Sequence, residues 1–191
     1  MQHEQTAVLI MDYQNAIVEN YSGGDAGLLQ RATKVLSSAR QSNLQIIYVV
    51  IGFRPGYPEI SRNNKSFNAL RESGRFAHGD AATQIHPDIA PHENDLIVTK
   101  HRVSAFSGSD LEMLLRANQI NHLVLMGIAT SGVVLSTLRY AADLDFKVTV
   151  LKDCCADQDA QVHQCLLEKV FPRQAEVMSS AEWISLMTKG S

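Results

Sequence analysis

Two charged side chains close apolar runs in this chain. Asp12 follows Ala7-Val8-Leu9-Ile10-Met11, and Lys100 follows Leu96-Ile97-Val98-Thr99. A carboxylate and an ammonium group brought together form an acid–base pair. The ammonium lowers the aspartate's pKa and burial raises it, so the stronger effect decides whether Asp12 acts as base or acid. A third feature is the run from Leu123 to Thr137, which turns through Gly127 and Gly132 into an expected helix. Where a strand feeds a helix through a tight turn, backbone N–H groups and the helix dipole stabilise an oxyanion, and enzymes often hold a nucleophile there. Gly132 stands where that nucleophile is expected, and it has no side chain. Ser131 is a poor substitute, because neighbouring positions on a helix point about 100° apart.

The elements that must position these groups are legible as short apolar segments. Strands are expected at Thr6 to Met11, Gln45 to Ile51, Asp95 to Thr99, His122 to Met126, Lys147 to Leu151 and Ala175 to Met178. Near-continuous apolarity marks strands covered on both faces. Helical spacing of Leu28, Leu29, Ala32, Val35, Leu36 and Ala39 places a helix between the first two, ending near Asn43. Further helices are expected at Asn64 to Glu72, Ser109 to Asn118, Gly132 to Asp143, Ala160 to Val170 and Ser180 to Met187, with Ser109 or Asp110 and Ser180 as N-caps. This alternation predicts an α/β fold: a three-layer, doubly wound, Rossmann-like, six-stranded and mainly parallel sheet. Such sheets bind ligands outside the carboxyl ends of their strands. Asp12, Gly52-Phe53-Arg54, Lys100, Gly127 to Gly132 and Asp153 are expected to converge there. The long connection from Gly52 to Asn94 is expected to be a lid or an interface. Its basic residues Arg54, Arg62, Lys65, Arg71 and Arg75 read first as solvated surface.

Composition narrows the class. With 191 residues, 45% hydrophobic and 19% charged, one domain over residues 1–191 is expected. A formal net charge of -3 argues against a nucleic-acid partner and for a small-molecule substrate. The opening Met1-Gln2-His3-Glu4-Gln5-Thr6 has no basic segment, and the first apolar run is too short to cross a membrane, so no membrane partner and a cytoplasmic location are expected. The cysteines, Cys154, Cys155 and Cys165, read as reduced thiols, Cys165 in the core of a helix face. A catalytic role for Cys154 or Cys155 is disfavoured, since buried cysteine is usually a small hydrophobe. His78, His86 and His92 lack metal-ligand spacing. Gly127 to Gly132 lacks the Lys-Ser/Thr of a phosphate loop.

The chain resembles the isochorismatase-like hydrolases, a superfamily that includes nicotinamidases, N-carbamoylsarcosine amidohydrolases and other cysteine hydrolases. The resemblance rests on Leu9-Ile10-Met11-Asp12-Tyr13-Gln14-Asn15, His86-Pro87, Lys100-His101-Arg102-Val103-Ser104-Ala105-Phe106 and Leu111 to Leu115. It continues through Gly127-Ile128-Ala129-Thr130, Thr137, Ala141-Ala142 and Asp153 with Ala156. It implies that Asp12 is the general acid/base, that Lys100 is its electrostatic partner, and that the family's cysteine is replaced by Gly132. It also implies a non-proline cis peptide at Ile128-Ala129 beside an oxyanion site, homo-oligomers, and no cofactor. The metal site of the nicotinamidase branch would fall at Gly52-Phe53-Arg54-Pro55, so no metal is expected. Isochorismatases of this superfamily also carry glycine where the cysteine would be, the position of Gly132 here, and need no covalent intermediate. The expected pocket comprises Asp12, Gln14, Phe53, Lys100, Arg102, Ala129 and Gly132, with Gln14, Phe53 and Arg102 binding substrate. The expected activity is hydrolysis of a small carboxylated molecule, with Asp12 protonating a vinyl ether. The alternative is a vestigial relative that binds a small ligand or serves in assembly.

Overall fold

A computed structural model describes residues 5–21 and 25–189. The opening residues 1–4, included above in the reading of the start of the chain, lie outside the described residues. Six strands form one sheet: β1 (Thr6–Met11), β2 (Gln45–Ile51), β3 (Leu96–Lys100), β4 (His122–Ile128), β5 (Lys147–Ala156) and β6 (Glu176–Met178). All neighbouring pairs are parallel, in the order β3-β2-β1-β4-β5-β6. The helices are α1 (Asn15–Tyr21), α2 (Leu28–Gln41), α3 (Lys65–Glu72), α4 (Leu111–Ala117), α5 (Leu135–Asp143), α6 (Ala160–Cys165) and α7 (Ser180–Lys189). The doubly wound expectation holds. The chain direction across the sheet reverses between β1 and β4, the place where such folds open a crevice.

Side-chain alternation along the strands builds two cores. Ala7, Leu9 and Met11 of β1 join Leu123 and Leu125 of β4 under α4 and α5. Val8 and Ile10 join Val124, Met126 and Ile128 against α2 and Trp183 of α7. A third, small cluster of Ala16, Ile51, Phe53, Ile60, Phe67 and Phe76 lies within and beneath the long connection. That connection is therefore an ordered outwork with its own apolar centre. Asn64 caps α3 by accepting from the Phe67 N–H at 3.1 Å.

Several boundaries differ from expectation. β5 continues to Ala156 past Lys152 and Asp153, through a register shift against β4 between Leu125 and Gly127. The cysteine pair therefore lies within the strand, and Asp153 does not end it. The Asp153 carboxylate accepts from the N–H and hydroxyl of Ser180, both at 2.7 Å, which anchors α7. The cap of α7 is Ser179 rather than Ser180. Ser179 Oγ accepts from the Glu182 N–H at 3.2 Å while the Glu182 carboxylate accepts from the Ser179 N–H at 2.7 Å, a reciprocal capping box. Cys165 is exposed rather than core, and two irregular turns follow it up to Arg173.

Candidate active site

The structure brings Asp12 and Lys100 together across the carboxyl end of β2. Lys100 Nζ lies 3.0 Å from Asp12 Oδ2 and also donates to the Arg102 carbonyl at 3.0 Å. Only 5% of Asp12 and 2% of Lys100 is exposed, so both charges sit in a medium that screens them weakly. Asp12 adopts a left-handed backbone (φ 60°), which aspartate tolerates better than most residues, and its N–H donates to the Val49 carbonyl at 2.8 Å. Those restraints orient the carboxyl group at the switch point of the sheet. Oδ2 faces the ammonium group; Oδ1 is buried without a hydrogen-bond partner. Burial outweighs Lys100 and holds the Asp12 carboxyl above the usual carboxylate range.

The third feature lies where it was expected. Ile128-Ala129 is a cis peptide, and the next residues, Thr130–Val134, form a π-helical turn that leads into α5. None of the five turn residues carries a thiol. Thr130 is fully buried and its hydroxyl donates to the Ala156 carbonyl at 3.1 Å, so the contact at 2.8 Å with His163 Nδ1 is a donation from the ring. Ser131 is exposed, and Asp157 accepts its N–H at 2.7 Å, which caps the turn. Nor do the native cysteines fill the gap. Cys154 and Cys155 are buried in the two opposite cores. Burial pushes the Cys155 thiol up to about 12 and the Cys154 thiol higher still, so neither is a thiolate near neutrality.

Two of the expected substrate contacts have other roles. Gln14 is fully buried, and its amide is bonded to backbone on both sides. It donates to the Ile51 carbonyl at 2.9 Å and the Thr83 carbonyl at 2.8 Å, and accepts from the Ile51 N–H at 2.8 Å. It braces the end of β2 against the long connection. Phe53 is likewise fully buried, with ring centroids of Tyr57, Phe67 and His101 between 5.7 and 5.9 Å away. It is the centre of the small third core. At the expected metal position the structure offers that phenyl ring and Arg54, whose guanidinium pairs with Glu59 at 2.7 Å, and neither is a metal ligand.

Arg102 lies two residues beyond the carboxyl end of β3. It is half-buried, its Nη1 donates to the His101 carbonyl at 2.6 Å, and among the described residues no carboxylate pairs with it. His101, which the sequence did not single out, donates from Nδ1 to the Gly52 carbonyl at 2.6 Å. Gly132 is half-exposed, and a Cβ built there would meet only Ala129 Cβ at 3.8 Å and Val103 Cγ1 at 4.0 Å. Val103 follows Arg102, whose carbonyl accepts from Lys100. A separate groove of about 1310 Å³ lies at the amino ends of the strands, lined by Thr6, Gln45, His122 and Lys147 among others, away from these residues.

Comparison with known proteins finds relatives along nearly the whole chain. The chain is 30% identical over 181 residues to the isochorismatase family protein YwoC of Bacillus subtilis, covering 95% of this chain and 93% of that one. It is 34% identical over 169 residues to the ureidoacrylate amidohydrolase RutB of Caulobacter vibrioides, covering 78% and 75%. A cysteine hydrolase from Pseudomonas syringae pv. phaseolicola has the same fold, with a TM-score of 0.90 at 24% identity over 98% of this chain and 94% of that one. The profile of the isochorismatase domain matches residues 6–182, and the chain belongs to the isochorismatase family of hydrolases.

Proposed function

We propose that this protein hydrolyses a small carboxylated vinyl ether without a covalent intermediate, with Asp12 as general acid/base and Lys100 as its electrostatic partner. The observation that carries the reading is the state of Asp12: raised pKa, one oxygen on Lys100, the other buried and free. A protonated Asp12 transfers its proton to the terminal vinyl carbon, giving an oxocarbenium ion. Water adds to the neighbouring, ether-bearing carbon, which is now cationic, and returns a proton to the Asp12 carboxylate. The hemiketal then collapses, the carbon–oxygen bond breaks, and a keto acid and an alcohol leave. Lys100 fixes Oδ2, which leaves Oδ1 as the oxygen that delivers the proton. Arg102 supplies a cation for the substrate carboxylate.

A second reading, hydrolysis of an amide or ureide, is favoured by the likeness to the ureidoacrylate amidohydrolase. It is disfavoured by the absence of a thiol from the turn, because the thiolate route needs sulfur there. The reading also makes the protein a cytoplasmic homo-oligomer with one domain per chain, using no metal or cofactor, and no helix among the described residues is long and apolar enough to cross a membrane. Sedimentation measures the oligomer.

Incubation with isochorismate, with pyruvate followed by a coupled lactate dehydrogenase, tests the chemistry. Pyruvate release that falls at least 100-fold in Asp12→Asn is the expected result. Ammonia release from ureidoacrylate instead would establish the second reading. No turnover across vinyl ethers, amides and ureides would point to a binding or assembly relative.

A further inference from the structure

The turn that leads into α5 is tied to a helix with little packing of its own. In α6 His163 is half-buried and the rest of the helix is exposed. Its start is secured locally by the Asp159 carboxylate, which accepts from the Gln161 and Val162 N–H groups at 2.9 and 3.0 Å. Apolar anchorage comes after its end, where Leu166 and Leu167 enter the core. His163 serves neither purpose. Its ring bonds instead to Thr130, the first residue of the turn.

That contact is a clasp with a fixed direction. Thr130 is fully buried and its hydroxyl hydrogen is spent on the Ala156 carbonyl, so the His163 Nδ1–H donates to the hydroxyl oxygen at 2.8 Å. Burial outweighs the nearby Asp157 and holds the His163 ring below the usual imidazole range. Near neutrality the ring is uncharged and acts through its bond. Asp157 ties the next turn residue by accepting the Ser131 N–H at 2.7 Å. Two consecutive residues of the turn are thus held from the segment 157–163. The turn has reason to be held. Met11 and Gly127 are register partners on β1 and β4, so Asp12 and the residues that enter the turn leave the sheet side by side. We propose that His163 is a positioning residue for the reaction: through Thr130 it holds the turn after β4 at one setting beside Asp12. The proposal rests on the reading of the turn as part of the active site and does not depend on a vinyl ether as substrate.

A thiol introduced by Gly132→Cys, in a Cys165→Ser background, reads the setting of the turn without any substrate. A Cβ at 132 meets Ala129 at 3.8 Å and Val103 at 4.0 Å, ordinary contacts that the fold accommodates, and the buried Cys154 and Cys155 stay silent. Alkylation by iodoacetamide is followed against pH. Backbone N–H groups aimed at a thiolate at a helix start lower its pKa below the ordinary value of about 8.5. His163→Leu loosens the turn, raises that pKa and slows alkylation near neutrality by about threefold or more. Thr130→Val removes the other half of the bond and gives the same loss, and the two changes together cost no more than either alone. His163→Asn restores the rate, because its amide nitrogen stands as many bonds from Cβ as Nδ1 does and also donates. In turnover of isochorismate, His163→Leu lowers kcat by about tenfold with KM unchanged, and His163→Asn recovers it. An ordinary thiol pKa in the parent, an alkylation rate that His163→Leu leaves unchanged while the thermal midpoint falls, or a loss that His163→Asn does not recover would overturn the proposal. The expected alkylation pattern in a protein that releases no pyruvate would sink the vinyl ether reading and leave His163 in its role. Pyruvate release with unchanged alkylation would do the reverse.

Discussion

Asp12 is held in a left-handed backbone conformation that few side chains accept, and asparagine is among those that do. Asp12→Asn therefore removes the acid with little backbone penalty, which makes it a cleaner test than alanine. The pH dependence follows from the direction of the Asp12 shift. A general acid works while protonated, so kcat/KM stays on a plateau at low pH and falls as pH rises through the Asp12 pKa. With burial dominant, the midpoint lies above 3.8. Both influences that lower this pKa come from Lys100, its charge and its hydrogen bond. Lys100→Met therefore moves the descending limb to higher pH, besides lowering the rate. A pH–rate profile of the two proteins checks this; a limb that rises with pH would make Asp12 a base. Asp12 and Lys100 were legible in the sequence because each ends an apolar run. The bracing roles of Gln14 and Phe53 were not legible because their partners, Thr83 and Ile51 for one and Tyr57, Phe67 and His101 for the other, become neighbours only after folding.

At the scale of elements, β1 and β2 were readable to the residue because short apolar runs rich in β-branched residues mark covered strands. β5 was read short because Lys152 and Asp153 look like the end of a strand. No local pattern announces that Asp153 is matched by Ser180 on α7, or that a register shift carries the strand onward. The start of α5 was blurred in the same way, since the π-helical turn before it is held by Asp157 and His163 from beyond β5. Gln14 shows how much one such tie matters. Gln14→Ala would strip three backbone groups, the two of Ile51 buried and that of Thr83 half-buried, of their partners, an expected loss of about 3 kcal/mol. Urea unfolding measures it, and a loss below about 1 kcal/mol would mean that water reaches the end of β2 and replaces the amide.

For the whole molecule, Trp183 is the single tryptophan and is 2% exposed on α7, remote in the sheet order from the third core beside β2 and β3. If one cooperative unit spans the chain, unfolding followed by Trp183 fluorescence coincides with unfolding followed by far-ultraviolet circular dichroism. Separate midpoints would mean that the long connection melts independently. The paired cysteines carry a final consequence for the chemistry of the intact surface. Because Cys154 and Cys155 are adjacent on one strand but belong to opposite sides of the sheet, the β-sheet works as a partition between two closed rooms, each holding one thiol. A thiol-modifying dye added to the native protein therefore counts one equivalent per chain, from Cys165, and three after denaturation. Any sulfur engineered into the turn would register as a second native equivalent, so this otherwise unused residue pair supplies a clean stoichiometric background.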